Sequence, residues 1–205
     1  MINYYMDNQI IQKNISIIFK SLNPIPKPFP KPLLIILVGL PGTGKTFLGE
    51  KLKEDFPVSI VQSDKIRAIC FTNPKYTNYE NKYVFDLCHK VINNLLQRKI
   101  PVLLDATNLL EKNRQGLYEI SKFHNAKLLV LKITAERKIT KLRISRRLSS
   151  KSNVSKASWN VYRRLGYFND PIGIQHSVID NSINNTVCLE PILEELVAWR
   201  NSLYP

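Results

Sequence analysis

The most regular apolar feature of the chain is the run Leu33 to Val38 (LLIILV), ended at once by a glycine. Six consecutive aliphatic residues bounded by a turn signal predict a strand buried on both faces. Shorter runs of the same kind recur at Val58 to Val61, Val102 to Leu104, Leu128 to Ile133 and Val178 to Ile179. Between them the apolar positions switch to a helical period, predicting helices near 45–55, 64–70, 80–98, 111–124, 135–149, 155–165 and 189–203. Alternation of this kind predicts an α/β fold, a mainly parallel sheet of about five strands flanked by helices. No internal repeat is present.

The first 32 residues follow another pattern. Ile11, Ile15, Ile18, Phe19 and Leu22 stand at helical spacing and predict an amphipathic helix. From Asn23 to Pro32 every second residue is proline, which predicts a stiff, extended connector. The organisation read from this is an arm at 1–32 and a catalytic domain at 33–205. The helix docks on its own domain or on a partner; its few basic residues argue against a membrane surface. An SH3-type ligand role is the alternative for the prolines.

No run approaches the roughly 18 apolar residues of a spanning helix, so no membrane span is expected. The N-terminus lacks the basic, apolar and small-residue sequence of a secretory leader. Cys70, Cys88 and Cys188 lie far apart in apolar surroundings and read as reduced small hydrophobes. A cytoplasmic location is the expectation. Charge changes the picture: 30 Lys plus Arg against 16 Asp plus Glu give +14 over 205 residues. Such an excess favours polyanions such as nucleotides or nucleic acid. The abundance of Lys, Asn and Ile together offers a purely compositional explanation.

The strongest motif follows the first strand. Gly39, Leu40, Pro41, Gly42, Thr43, Gly44, Lys45 and Thr46 fit G-x-x-x-x-G-K-[ST] between a strand and a helix, and the binding segment runs on to Phe47. Glycines let successive N–H groups turn toward phosphate, and the new helix adds the positive end of its dipole. The expected cofactors are ATP and Mg²⁺, with Lys45 on the β- and γ-phosphates and the Thr46 hydroxyl on the metal.

Two carboxylates stand at strand ends, where this fold class opens its ligand crevice. Asp105 is a candidate to hold Mg²⁺ through water, with a plain strand-end turn or helix cap as the alternative. Asp64, after the second strand, is a candidate base for an attacking hydroxyl, with Arg67 one turn on to grip an acceptor phosphate. Ser63 or Asp64 as a mere helix N-cap is the competing reading. Between Glu136 and Asp170 no acidic residue occurs, while ten basic ones do. Arg143 and Arg147, spaced i, i+4, share a face and are candidates to close over transferring charge. The segment at about 135–170 is therefore read as a basic helical lid hinged at Ser149 to Ser155, with a merely solvated face as the alternative.

Taken together, GLPGTGKT, Ser-Asp-x-x-Arg at 63–67, Asp-Ala-Thr-Asn at 105–108 with Arg114 after it, and Arg143-x-x-x-Arg147 resemble P-loop kinases of the polynucleotide 5′-hydroxyl kinase type. These belong to a wider AAA-type group with zeta-toxin-like and chloramphenicol phosphotransferase-like proteins. The resemblance spans 33 to about 180 and implies a P-loop NTPase fold. It implies that Asp64 is the general base, Arg67 an acceptor-side arginine, Asp105 the metal-side acid and Arg143 or Arg147 a lid arginine. Thr107, Asn108 and Arg114 match positions that are structural or acceptor-binding. The segment after Asp180 is implied to pass near the adenine. The arm lies outside the resemblance, and no companion phosphatase domain is read in the chain.

Three functions follow. The first is a kinase acting on a hydroxyl of a polynucleotide 5′ end or a nucleotide-like small molecule. The second is an ATP-hydrolysing switch working through a partner; Ala106 after Asp105, where many such machines place glutamate, argues against it, and the arm supports it. The third is a nucleic-acid surface on the lid, where Trp159, Tyr162, Tyr167 and Phe168 interleave with basic residues and either stack bases or pack the lid.

Overall fold

The computed structural model describes residues 8–149, 159–167, 169–183 and 186–204. Five strands form one parallel sheet: β1 (Leu33–Val38), β2 (Ser59–Gln62), β3 (Val102–Asp105), β4 (Lys127–Thr134) and β5 (Ser177–Asp180), in the order β2-β3-β1-β4-β5. The helices are α1 (Asn8–Ser21), α2 (Lys45–Asp55), α3 (Ser63–Cys70), α4 (Asn78–Gln97), α5 (Glu111–Phe123), α6 (Arg137–Ser149), α7 (Trp159–Gly166) and α8 (Glu190–Asn201).

β1 is central, and its period of two splits it between two cores. Leu33, Ile35 and Leu37 face Leu48, Leu52, Phe56, Ile192 and Leu196. Leu34, Ile36 and Val38 face a second cluster with Val84, Leu87, Val91, Ile92 and Leu117. All six residues of β1 are buried, which is why the strand reads as an unbroken apolar run.

Strand ends differ from the apolar runs because the ladder extends into polar residues. Gln62 pairs with Asp105, so β2 and β3 each carry a polar side chain to their carboxyl ends. α7 begins at Trp159; the expected start at 155 and the hinge beyond Ser149 lie outside the described residues, as does Phe168.

α1 docks on its own chain. Ile18 and Leu22 join the cluster containing Val61, Ile66 and Tyr83, and the Asn14 amide donates to the Tyr83 hydroxyl at 3.0 Å. The connector then crosses to the opposite core, where Phe29 meets Phe56 edge-on at 5.8 Å and its N–H donates to the Lys99 carbonyl. The arm therefore closes over both faces of the sheet. Ile18→Ala should lower stability by about 2–5 kcal/mol in denaturant unfolding, the range for truncating a buried aliphatic residue. Nucleotide affinity should change little, because no residue of the loop Gly39 to Thr46 belongs to that cluster.

Candidate functional site

The loop after β1 is shaped by its own residues. Thr43 Oγ1 donates to the Leu40 carbonyl at 2.9 Å, and the Gly39 N–H donates to the Thr107 carbonyl at 3.0 Å. Gly44 sits at φ 96, a left-handed conformation, and a Cβ there would collide with the Asn181 amide. Only glycine fits. Pro41 is buried, Gly42 and Leu40 are half-buried, and Phe47 packs against the α2/α8 core. α2 begins at Lys45, so its first N–H groups face the same loop.

Lys45 is buried, and its ammonium donates to the Leu40 carbonyl at 3.0 Å. Burial pulls its pKa from 10.5 down to about 8, against the attraction of Asp105 and Asp64 and with the repulsion of Arg147. Between about pH 8 and 10.5 the folded state binds fewer protons here than the unfolded chain, so stability rises with pH across that window. Phosphate binding requires the charged form. Nucleotide affinity should therefore fall as pH rises above about 8, and binding should take up protons, measurable as a buffer-dependent enthalpy in titration calorimetry.

Thr46 Oγ1 donates to Asp105 Oδ2 at 2.6 Å, and Gln62 Nε2 donates to the same oxygen at 3.2 Å. A hydroxyl and a carboxylate in contact are hard oxygen donors of the kind Mg²⁺ prefers. Among the described residues no group of three or more His, Cys, Asp or Glu gathers as a metal site. An ion here would be shared with the phosphates and water. Gln62 was not singled out in the sequence; its signal was a polar residue closing a strand immediately before Ser63.

Asp64 occupies the first turn of α3, whose N-cap is Gln62, so neither Ser63 nor Asp64 is the cap. Its carboxylate acts electrostatically on both Lys45 and Arg147. Arg147 and Arg143 share one face of α6, as the i, i+4 spacing predicts, and burial holds both guanidiniums below their usual pKa. Arg143 donates to the carbonyls of Thr43 at 3.4 Å and Asn181 at 2.8 Å. Asn181, 1% exposed, donates its amide to the Thr43 carbonyl at 2.9 Å and so joins β5, the phosphate loop and α6. The sequence marked it only as the start of the segment after Asp180.

Lys45, Thr46, Asp64, Arg67, Asp105, Arg143 and Arg147 all line one cleft of about 1600 Å³. Asn108 and Arg114 are not among its lining residues, and their contacts favour the structural one of the two readings left open for them. Asn108 is fully buried at φ 49 and donates to the Leu37 carbonyl at 2.7 Å. Arg114 is also fully buried and donates to the carbonyls of Asn108, Leu109, Asp170 and Pro171 as well as to Glu111. Its five-donor fork braces the loop after β3 against the segment after α7.

On α7, Trp159 and Tyr162 stack on each other at 4.5 Å, with Arg137 and Lys141 of α6 over the indole. The Trp159 ring thus packs α7 against α6. Tyr167 is 89% exposed.

No curated protein matches the sequence significantly. Among solved structures, Kti12 of Chaetomium thermophilum in complex with ADP-AlF3 superposes with a TM-score of 0.62 at 16% identity, covering 80% of this chain and 97% of that one. A gluconokinase from Sinorhizobium meliloti 1021 gives 0.58 at 18% identity, covering 87% and 98%. The Mycobacterium tuberculosis APS kinase CysC, in complex with AMPPNP and APS, gives 0.54 at 13%, covering 82% and 97%. At these identities the likeness is one of fold. The profile of the AAA domain family (AAA_33) matches residues 34–165, a stretch that holds the phosphate loop, Asp64, Asp105 and both α6 arginines, and the chain belongs to that family.

Proposed function

We propose that this protein is an ATP-dependent kinase that moves the γ-phosphoryl group to an acceptor hydroxyl, either a polynucleotide 5′-OH or a nucleotide-like small molecule. The observation that carries the reading is the gathering on one cleft of the phosphate loop, the Thr46–Asp105 pair, the Asp64 carboxylate and the cations Lys45, Arg67, Arg143 and Arg147. The loop from Gly39 to Phe47 would take the ATP phosphates, with Lys45 on the β- and γ-groups. Thr46 and Asp105 would hold Mg²⁺, which supplies charge neutralisation on the phosphates when bound.

Asp64 would take the proton of the acceptor hydroxyl as its oxygen bonds to the γ-phosphorus and ADP leaves. Arg143 and Arg147 would neutralise charge on the transferring oxygens. Arg67, one turn beyond Asp64, would hold an anionic group of the acceptor. Such a transfer asks for positioning and charge rather than covalent help. The resemblance to polynucleotide 5′-hydroxyl kinases and the +14 charge support the acceptor class. Among the described residues no disulfide joins the cysteines, which suits a reducing compartment such as the cytoplasm; burial pushes the Cys70 thiol up to about 11 and Cys88 up to about 12, away from the reactive thiolate form. Among the described residues no helix is long and apolar enough to cross a membrane.

The switch alternative drew its support from the arm, which packs into the chain's own core. The test is label transfer from γ-labelled Mg-ATP to 5′-hydroxyl DNA and RNA oligonucleotides beside nucleosides and sugars. Labelled oligonucleotide or nucleoside is the expected product; label on none of them would refute the acceptor class.

A further inference from the structure

The acceptor side of the cleft holds a contact whose parts are each unfavourable alone. Arg67 is 5% exposed, and among the described residues its Nε and Nη1 have no hydrogen-bond partner. Nη2 donates to Asn81 Oδ1 at 2.8 Å; the nearest anion, Glu80 Oε2, stands 3.6 Å from Nη1. That carboxylate is engaged elsewhere, accepting the Lys75 N–H at 2.9 Å and the Tyr76 N–H at 2.6 Å. A desolvated guanidinium with two unmade hydrogen bonds is costly.

What covers it is the Tyr76 ring, 4.6 Å from the guanidinium carbon. Tyr76 itself stands at φ 55, in a region bulky residues rarely adopt and which stores strain where function requires it. Glu80 holds that backbone in place, and both Tyr76 and Arg67 line the cleft beside Asp64. The strained backbone and the under-satisfied cation thus meet in a single contact.

We propose that Tyr76 is a displaceable cover on Arg67 and determines acceptor specificity: an anionic acceptor group replaces the ring, and a neutral one does not. This rests on the reading of Arg67 as an acceptor-side residue. A phosphate offers the guanidinium charge-assisted hydrogen bonds stronger than a ring face can give. A neutral group offers nothing better than the ring.

The test titrates inorganic phosphate into the full chain with its phosphate loop filled by a non-hydrolysable ATP analogue and Mg²⁺, following the Arg67 Nε–H signal by NMR. Tyr76→Ala should bind phosphate about tenfold more tightly than wild type, the factor a desolvated cation–π contact is worth. Tyr76→Phe, which keeps the ring over the guanidinium, should show none of that gain, and adding Arg67→Ala to Tyr76→Ala should abolish it. Equal affinity in wild type and Tyr76→Ala, or a gain that survives Arg67→Ala, would overturn the proposal. Because this readout needs no phosphoryl transfer, it stands or fails separately from the kinase reading.

Discussion

Lys45→Met is expected to yield a protein that is more stable and nearly inactive. The native ammonium is buried and pulled down to about 8 by its surroundings, so the fold carries the cost of desolvating it. An apolar side chain of similar length removes that cost and should raise unfolding stability at pH 7 by on the order of 1 to 3 kcal/mol. In the proposed reaction the same change would strip the β- and γ-phosphates of a cation, and the transfer rate should fall by about 10²- to 10³-fold, the scale for one lost charge-stabilising donor. Thermal unfolding beside single-turnover transfer measures both. A destabilised variant would mean that Lys45 is held by stronger internal pairing than its hydrogen bond to Leu40 supplies.

Asp64→Asn should separate binding from chemistry. Asparagine keeps the shape but cannot take a proton, so kcat should fall by roughly 10²- to 10⁴-fold, the usual worth of a general base. Nucleotide affinity should change little, because the phosphate loop and the Thr46–Asp105 contact are built without Asp64. Affinity can tighten slightly, since the carboxylate stands near Lys45 where phosphate charge is to bind. Comparison of kcat with the nucleotide Kd decides it. A parallel collapse of both would recast Asp64 as a structural residue.

Much of this was legible in the chain because local physics and global fold agree. The unbroken aliphatic run of β1 could only be a strand covered on both faces, and the glycine positions of the loop follow from backbone angles that side chains resist. The i, i+4 pair Arg143 and Arg147 could be placed on one face from spacing alone. What was not legible depends on long-range contacts. Asn108 and Arg114 belong to a motif whose neighbours line the cleft, and only the tertiary fold shows them turned inward to brace backbone carbonyls. Asn181 acquires its role by meeting Thr43, 138 positions earlier, and no local pattern encodes such a meeting. Gln62 is similar, since its bond to Asp105 follows from strand register. The arm's helix was visible from its periodicity, whereas its docking surface was a question of complementarity between distant apolar faces, now seen at Ile18 and Tyr83.

The central claim is that the cleft directs the γ-phosphoryl group to a hydroxyl held by Asp64. It is tested most directly by the partition of labelled γ-phosphate between acceptor and water in one turnover, for wild type and Asp64→Asn at equal nucleotide occupancy. Label on the acceptor is expected in wild type, with a loss of that product of about 10²-fold or more in the variant. Free phosphate as the sole product, released at a rate that Asp64→Asn leaves intact, would contradict it.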